Sequence, residues 1–160
     1  MGPVEFAANE IAEGIRYAAH VSRLAIELYL EESPQFVTML SPTLKLLGDN
    51  PDALYFIANI RDTSVDYNIS GCRSRELYFS ISVHGASDGS MPFQRVLTDV
   101  NSRGVAFDTN DCFSLLLSRT QPSELPPATT WLELPADALT IISLAYYSTT
   151  TSLQIHKSVA

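Results

Sequence analysis

Asn50, Asp52 and Tyr55 stand within six residues of one another and supply an amide, a carboxylate and a phenol. Together they offer donors and acceptors to a polar ligand, and Asp52 adds a group that can transfer a proton. His84 is the second candidate for proton transfer. It closes the polar row Tyr78, Ser80, Ser82, and an imidazole changes charge near neutral pH. Arg73 follows Gly71-Cys72, and its planar guanidinium suits a carboxylate or a sulfate held through two hydrogen bonds. The expected site therefore has His84 and Asp52 as catalytic groups and Asn50, Tyr55, Arg73 and Tyr78 as ligand-binding groups. Each also has a plain structural role. Asn50-Pro51-Asp52 is a turn in which Pro fixes φ and an Asn or Asp side chain bonds nearby backbone. Arg73 can pair with Glu76, Asp66 or Asp52. A solvent-facing His84 is ordinary.

Other chemistries find less support. A Ser-His-Asp set can be drawn from Ser80 or Ser82, His84 and Asp88, but no Gly-x-Ser-x-Gly elbow accompanies it. Two of the three histidines, His20 and His156, lie far from His84 in the chain, and no His-x-His or His-x-x-x-His pair exists. A metal would need scattered ligands, so no metal and no cofactor are expected. The small-residue run Gly85 to Ser90 lacks a following helix start and a nearby Lys, so it reads as a loop and not a phosphate cradle. Trp131, the single tryptophan, reads as core or rim packing.

The elements that must position these groups change character at residue 50. Ile11, Ile15, Ala18, Val21, Ala25 and Leu28 recur at helical spacing and predict one amphipathic helix over 9–31. Asn9 caps it, Glu10 and Glu13 suit its first turn, and Ser33-Pro34 stops it. A short second helix is expected over 34–40. Beyond Asn50 the period becomes two. Strands are expected at 54–60, 65–69 and 77–84, the last with Leu77, Phe79, Ile81 and Val83 inward and a polar row outward. Val105–Phe107 and Cys112–Leu117 are expected to form a hairpin across Asp108–Asp111. Pro122, Pro126 and Pro127 mark an ordered surface loop. Trp131–Leu134, Leu139–Tyr147 and Leu153–His156 supply the last strands. Eight or nine short strands with few helices predict a mainly β fold, an antiparallel jelly-roll-like β-sandwich carrying an N-terminal helical segment.

The 160 residues fit a single domain, with 1–47 helical and packed on the sandwich of 48–160. Hydrophobic content of 46% and charged content of 18% describe a globular chain. A net charge of -8, dispersed and with ten Lys and Arg, offers no basic stripe, so nucleic acid is not an expected partner. No apolar run approaches the roughly 18–20 residues that span a bilayer, and no membrane partner is expected. The N-terminus does not read as a signal peptide. Cys72 and Cys112 are expected as two reduced, partly buried thiols in a cytoplasmic setting, with a single bridge as the alternative.

The run Gly48-Asp49-Asn50-Pro51-Asp52-Ala53-Leu54-Tyr55 is followed by Tyr67-Asn68-Ile69-Ser70-Gly71-Cys72-Arg73 and by Tyr78-Phe79-Ser80. In order and content these pieces resemble the microbial proteins grouped as "domain of unknown function twelve-fourteen", which often sit beside a sister domain, "twelve fifty-four". The resemblance runs over roughly residues 10–157 and includes Glu13-Gly14-Ile15-Arg16-Tyr17, Cys112-Phe113-Ser114-Leu115 and Trp131-Leu132-Glu133-Leu134-Pro135. It implies a jelly-roll-like sandwich and no established activity. Arg61-Asp62 stands where such proteins often have an acid followed by Gly, and Ser74 stands where they have Gly. Such proteins also tend to carry a further β-rich half.

Three functions follow as expectations. The first is a soluble small-molecule-binding or accessory domain whose ligand is unknown. The second is a metal-independent isomerase, lyase or hydrolase using His84 or Asp52. The third is an interaction module completed by self-association, that is, a homo-oligomer. A roomy cavity would favour the first two, and a filled sandwich with an exposed apolar face the third.

Overall fold

The computed structural model describes residues 8–30, 50, 52–73, 76–86, 95–147 and 155–158. Among these residues it is mainly β, with one N-terminal helix and two packed four-stranded sheets. The expected helix over 34–40 lies outside the described residues.

Helix α1 runs Ala8–Tyr29, so Asn9 sits inside its first turn and not at the cap. Glu10 lies in the same turn, where the helix dipole favours an acid. Arg16 pairs with Glu13 and Arg23 with Glu27, both at 2.7 Å, the first pair exposed and the second with Glu27 half-buried. Such pairs are worth only about 0.3–0.5 kcal/mol each. The expected apolar stripe is present, but it faces solvent: Ile15 is 67% exposed, Ile11 53% and Ile26 45%. The half-buried positions His20, Leu24 and Glu27 lie on the opposite side of the cylinder. These isoleucines are not among the side chains of the sandwich core.

The first sheet has the order β1 (Ala53–Asn59), β7 (Ala138–Tyr147), β3 (Glu76–Gly85), β4 (Arg95–Asn101) and is antiparallel throughout. The second has the order β6 (Thr129–Glu133), β5 (Cys112–Ser118), β2 (Tyr67–Cys72), β8 (Ile155–Ser158). Here β6 runs parallel to β5, so this sheet is mixed and not purely antiparallel.

Alternation fixes which side chains lie between the sheets. Ile69, Ile81, Val83, Leu115, Leu117, Leu134 and Ile141 are each 2% exposed or less. Burying a side chain of this size stabilises by roughly 1.5–3 kcal/mol relative to leaving it in water. At one end of the core Phe79 stacks on Phe113 with centroids 5.2 Å apart, and Phe107 meets both edge-on. Rings in such pairs gain beyond their buried area.

Three expectations are corrected here. Strand β4 was not foreseen. Val105–Phe107 is not a strand: Val105 and Phe107 reach the core from a loop. Leu77 is 74% exposed, because a register shift between Glu76 and Tyr78 turns it out of the inward row that Phe79, Ile81 and Val83 keep.

The cysteines are also joined. Cys72 and Cys112 are register partners on β2 and β5 and form a disulfide, against the expectation of two reduced thiols. Sequence leaves register open, and once these strands pair in this register the two Cβ atoms face each other.

Candidate functional site

The outer face of the first sheet carries most of the candidate groups, arranged in rows across the strands. One row is Ala53, Tyr146, Tyr78. The next is Tyr55, Leu144, Ser80, Asn101, followed by Ile57, Ile142, Ser82, Asp99. The last is Asn59, Thr140, His84. Tyr55 thus shares its face with Ile57 and Asn59, as strand parity predicts.

Asn50, Tyr55 and Tyr78 come together at the first end of this face. The Asn50 backbone N–H donates to the Tyr55 hydroxyl at 3.3 Å, and its Nδ2 donates to the Tyr146 hydroxyl at 3.0 Å. The Asn50 Oδ1 accepts the Asp52 N–H at 2.9 Å, and its carbonyl accepts the Ala53 N–H at 3.3 Å. Tyr78 packs on Tyr146 with ring centroids 6.1 Å apart. The side-chain amide and the backbone of Asn50 are thus engaged in holding the entry to β1, which is the structural reading of the Asn-Pro-Asp turn. Asp52 is exposed. Tyr146 was missed because it reaches the cluster only through the β1–β7 register.

His84 lies elsewhere. Six residues along β3 from Tyr78 amount to about 20 Å at a strand's rise. Its Nε2 is 2.8 Å from the Ser82 Oγ, which also lies 3.2 Å from the Ile142 carbonyl. Ser82, and not Ser80, is therefore the serine beside the imidazole. Asp88 lies outside the described residues, and Asp99 is the acid in register with Ser82. Because β3 is an interior strand, the backbone N–H groups beside Ser82 are committed to its neighbours. A serine nucleophile there would lack the free N–H pair that holds an oxyanion.

Arg73 is on neither patch. It follows β2 in the second sheet, and its guanidinium carbon lies 4.2 Å from the centroid of the Phe107 ring. Its N–H donates to the Asp111 carbonyl at 2.7 Å. It caps the aromatic end of the core by a cation–π contact, with no acid partner of the kind expected among the described residues. The six candidates therefore divide into an Asn50–Tyr55–Tyr78 corner with Asp52 at its rim, a Ser82–His84 pair, and Arg73 on Phe107.

Among the described residues no group of three His, Cys, Asp or Glu converges in a way that could hold a metal. No helix among them is long and apolar enough to cross a membrane. One described carboxyl has a resolved perturbation. Asp62 is held below its ordinary 3.8, first by the Ser64 hydroxyl at 2.6 Å, then by the Ser64 N–H at 2.8 Å, with Arg119 adding to the effect. Asp62 belongs to the turn before β2 and not to either patch.

No protein-family model matches the chain, and no curated protein does. Solved structures do. The chain is similar to an uncharacterized protein from Burkholderia cenocepacia, with a TM-score of 0.78 and 21% identity over 97% of this chain and 44% of that one. It also matches the VPA0106 protein from Vibrio parahaemolyticus, with a TM-score of 0.45 and 14% identity over 67% of this chain and 31% of that one. The first likeness establishes a shared fold. The chain spans less than half the length of either protein.

Proposed function

We propose that the chain is an accessory domain, a jelly-roll-like β-sandwich that works by docking and not by catalysis. One observation carries this reading. Among the described residues a cluster of aliphatic and aromatic side chains occupies the space between the sheets, while α1 presents Ile11, Ile15 and Ile26 to solvent. An amphipathic helix with its apolar stripe outward stabilises little until something covers it. The occupant is the same stripe of a second copy. Gly14, Ala18, Ser22 and Ala25 are small and exposed, so two helix backbones can approach closely there. Native mass spectrometry and sedimentation velocity test this. The wild-type chain should dimerise, and Ile15→Glu with Ile26→Glu should return it to a monomer with an unchanged β-sheet spectrum. A wild-type chain that stays monomeric up to about 100 μM, an association free energy weaker than about -5.5 kcal/mol, would overturn it.

A second reading keeps a small-molecule site on the outer face of the first sheet. The Ser82–His84 hydrogen bond favours it, since it places an imidazole and a hydroxyl side by side on that face. The same mass spectra would reveal a retained ligand, and His84→Gln should release it.

A further inference from the structure

We infer that the Cys72–Cys112 bridge is a thiol-exchange site that an external dithiol opens while both sheets stay folded, freeing the 106–111 loop from the aromatic end of the core. The bridge lies on the outer face of the second sheet. Phe113, the residue after Cys112, points inward at 8% exposure, whereas Cys72 is exposed and Cys112 half-buried. Sulfur is therefore no part of the core, and opening the bridge leaves no cavity there.

Opening it also breaks no ladder bond at this pair. The Cys112 N–H donates to the Asp108 carboxylate and its carbonyl accepts the Asp108 N–H, both at 2.8 Å. Cys72 and Cys112 thus face each other where the two strands exchange no hydrogen bonds. The remaining β2–β5 register, from Tyr67↔Leu117 to Gly71↔Phe113, does not depend on the sulfurs.

What the bridge restrains is the loop beyond it. Arg73, next to Cys72, holds Asp111 through its backbone and covers Phe107 with its guanidinium. Phe107 in turn packs against Phe79 and Phe113. Asp111 has a φ of 57°, so the turn is held in a conformation that non-glycine residues seldom adopt. Arg73 thus links the bridged position, through the backbone and its guanidinium, to the aromatic end of the core.

The exchange is a two-electron transfer. A thiolate of the dithiol attacks the exposed Cys72 sulfur, the S–S bond breaks, and Cys112 leaves as a thiolate that takes up a proton. The second thiol of the reagent then displaces Cys72, and the dithiol departs as a cyclic disulfide. Asp108 stands at Cys112 and repels an anionic attacker there, and Cys72 is the more exposed of the two, so attack falls on Cys72.

The experiment treats the purified full chain with dithiothreitol at about pH 8 without denaturant, where the reagent is partly thiolate. Thiol titration should rise from zero to two per chain with the far-ultraviolet spectrum unchanged. Amide exchange should accelerate by roughly tenfold or more at 106–111 and stay constant in β3 and β7. The Cys72→Ser, Cys112→Ser chain should show the fast loop from the start and no response to the reagent. Thiols that appear only once the sheets unfold, or a reduced chain whose loop exchanges at the oxidised rate, would overturn the inference. Those readings on the wild-type chain decide the matter even if the double variant fails to fold.

Discussion

The Tyr67 hydroxyl donates to the Asp62 carbonyl at 2.8 Å and accepts the Asp62 N–H at 3.3 Å, closing a clip across five residues. Asn50 and Tyr55 stand in the same relation, again five residues apart and again with an N–H on the phenol. In both, the first residue's side-chain oxygen accepts the N–H two residues on, at Asp52 and at Ser64. The two clips lead into β1 and β2, one in each sheet. Recurrence at a position with no candidate chemistry argues that the Asn50–Tyr55 element is an architectural device.

Removing the hydroxyls should therefore cost stability. Tyr67 is 7% exposed, and Tyr67→Phe strips both polar groups of Asp62 of a partner, for an expected loss of about 1–2 kcal/mol. Tyr55→Phe, at a half-buried site with the longer contact, should lose about 0.5–1 kcal/mol. Urea unfolding of the two variants and the parent gives both values. A neutral Tyr67→Phe would show that the clip holds nothing.

Asp62 also sets an acid limb. Its folded pKa lies below the unfolded 3.8, so the carboxylate contributes stability that is fully present above about pH 4 and lost as pH falls through the folded value. Asp62→Asn should melt lower than the parent at neutral pH, with the gap shrinking as the pH drops below that range. Thermal melts across the acid range test this. A gap that stays constant or widens toward low pH contradicts it. The group is exposed, so the difference will be small.

Gly85 ends β3 where it pairs with Arg95 and Ala138. A Cβ there would stand 3.0 Å from the Asp137 carbonyl oxygen and 3.0 Å from a Leu97 methyl. Leu97 can turn aside, but the backbone oxygen cannot. Gly85→Ala should destabilise by about 1–3 kcal/mol, read as a lower denaturation midpoint at constant slope. The glycine expected to open a loop is instead a packing requirement of the strand.

Ser82 should be inert as a nucleophile. Its hydroxyl has one proton to share between His84 and the Ile142 carbonyl, and the ladder leaves no N–H beside it for an oxyanion. A fluorophosphonate reagent should leave the intact mass of the folded chain unchanged. A single adduct abolished by Ser82→Ala would restore the hydrolase reading.

Much of this fold is legible as alternation. The rows Phe79, Ile81, Val83 and Phe113, Leu115, Leu117 declare buried strand faces, and the structure buries all six. Strand β4 was hidden because Val96 and Leu97 are adjacent apolar residues, and the register slips between Val83 and His84 opposite them. Val105 and Phe107 looked like a strand because a loop that feeds the core uses the same residue types. The site was less legible still. Parity correctly put Tyr55 and His84 on outward faces, but only the pairing of β1 with β7 brings Tyr146 to Asn50. Nothing local separates Arg73 from that corner. The helix stripe could be read from its spacing, but not what it faces.

Among the described residues strand β1 is hydrogen-bonded to β7 alone, with Ala53 opposite Tyr146 about ninety residues later. On the ribosome β1 therefore has to wait, its edge unsatisfied, until nearly the whole domain has been made. Nascent chains stalled before β7 leaves the exit tunnel should be cut by protease at β1, and release of the last strands should protect it in a single step. Birth of the domain is thus all-or-nothing, timed by its C-terminal third.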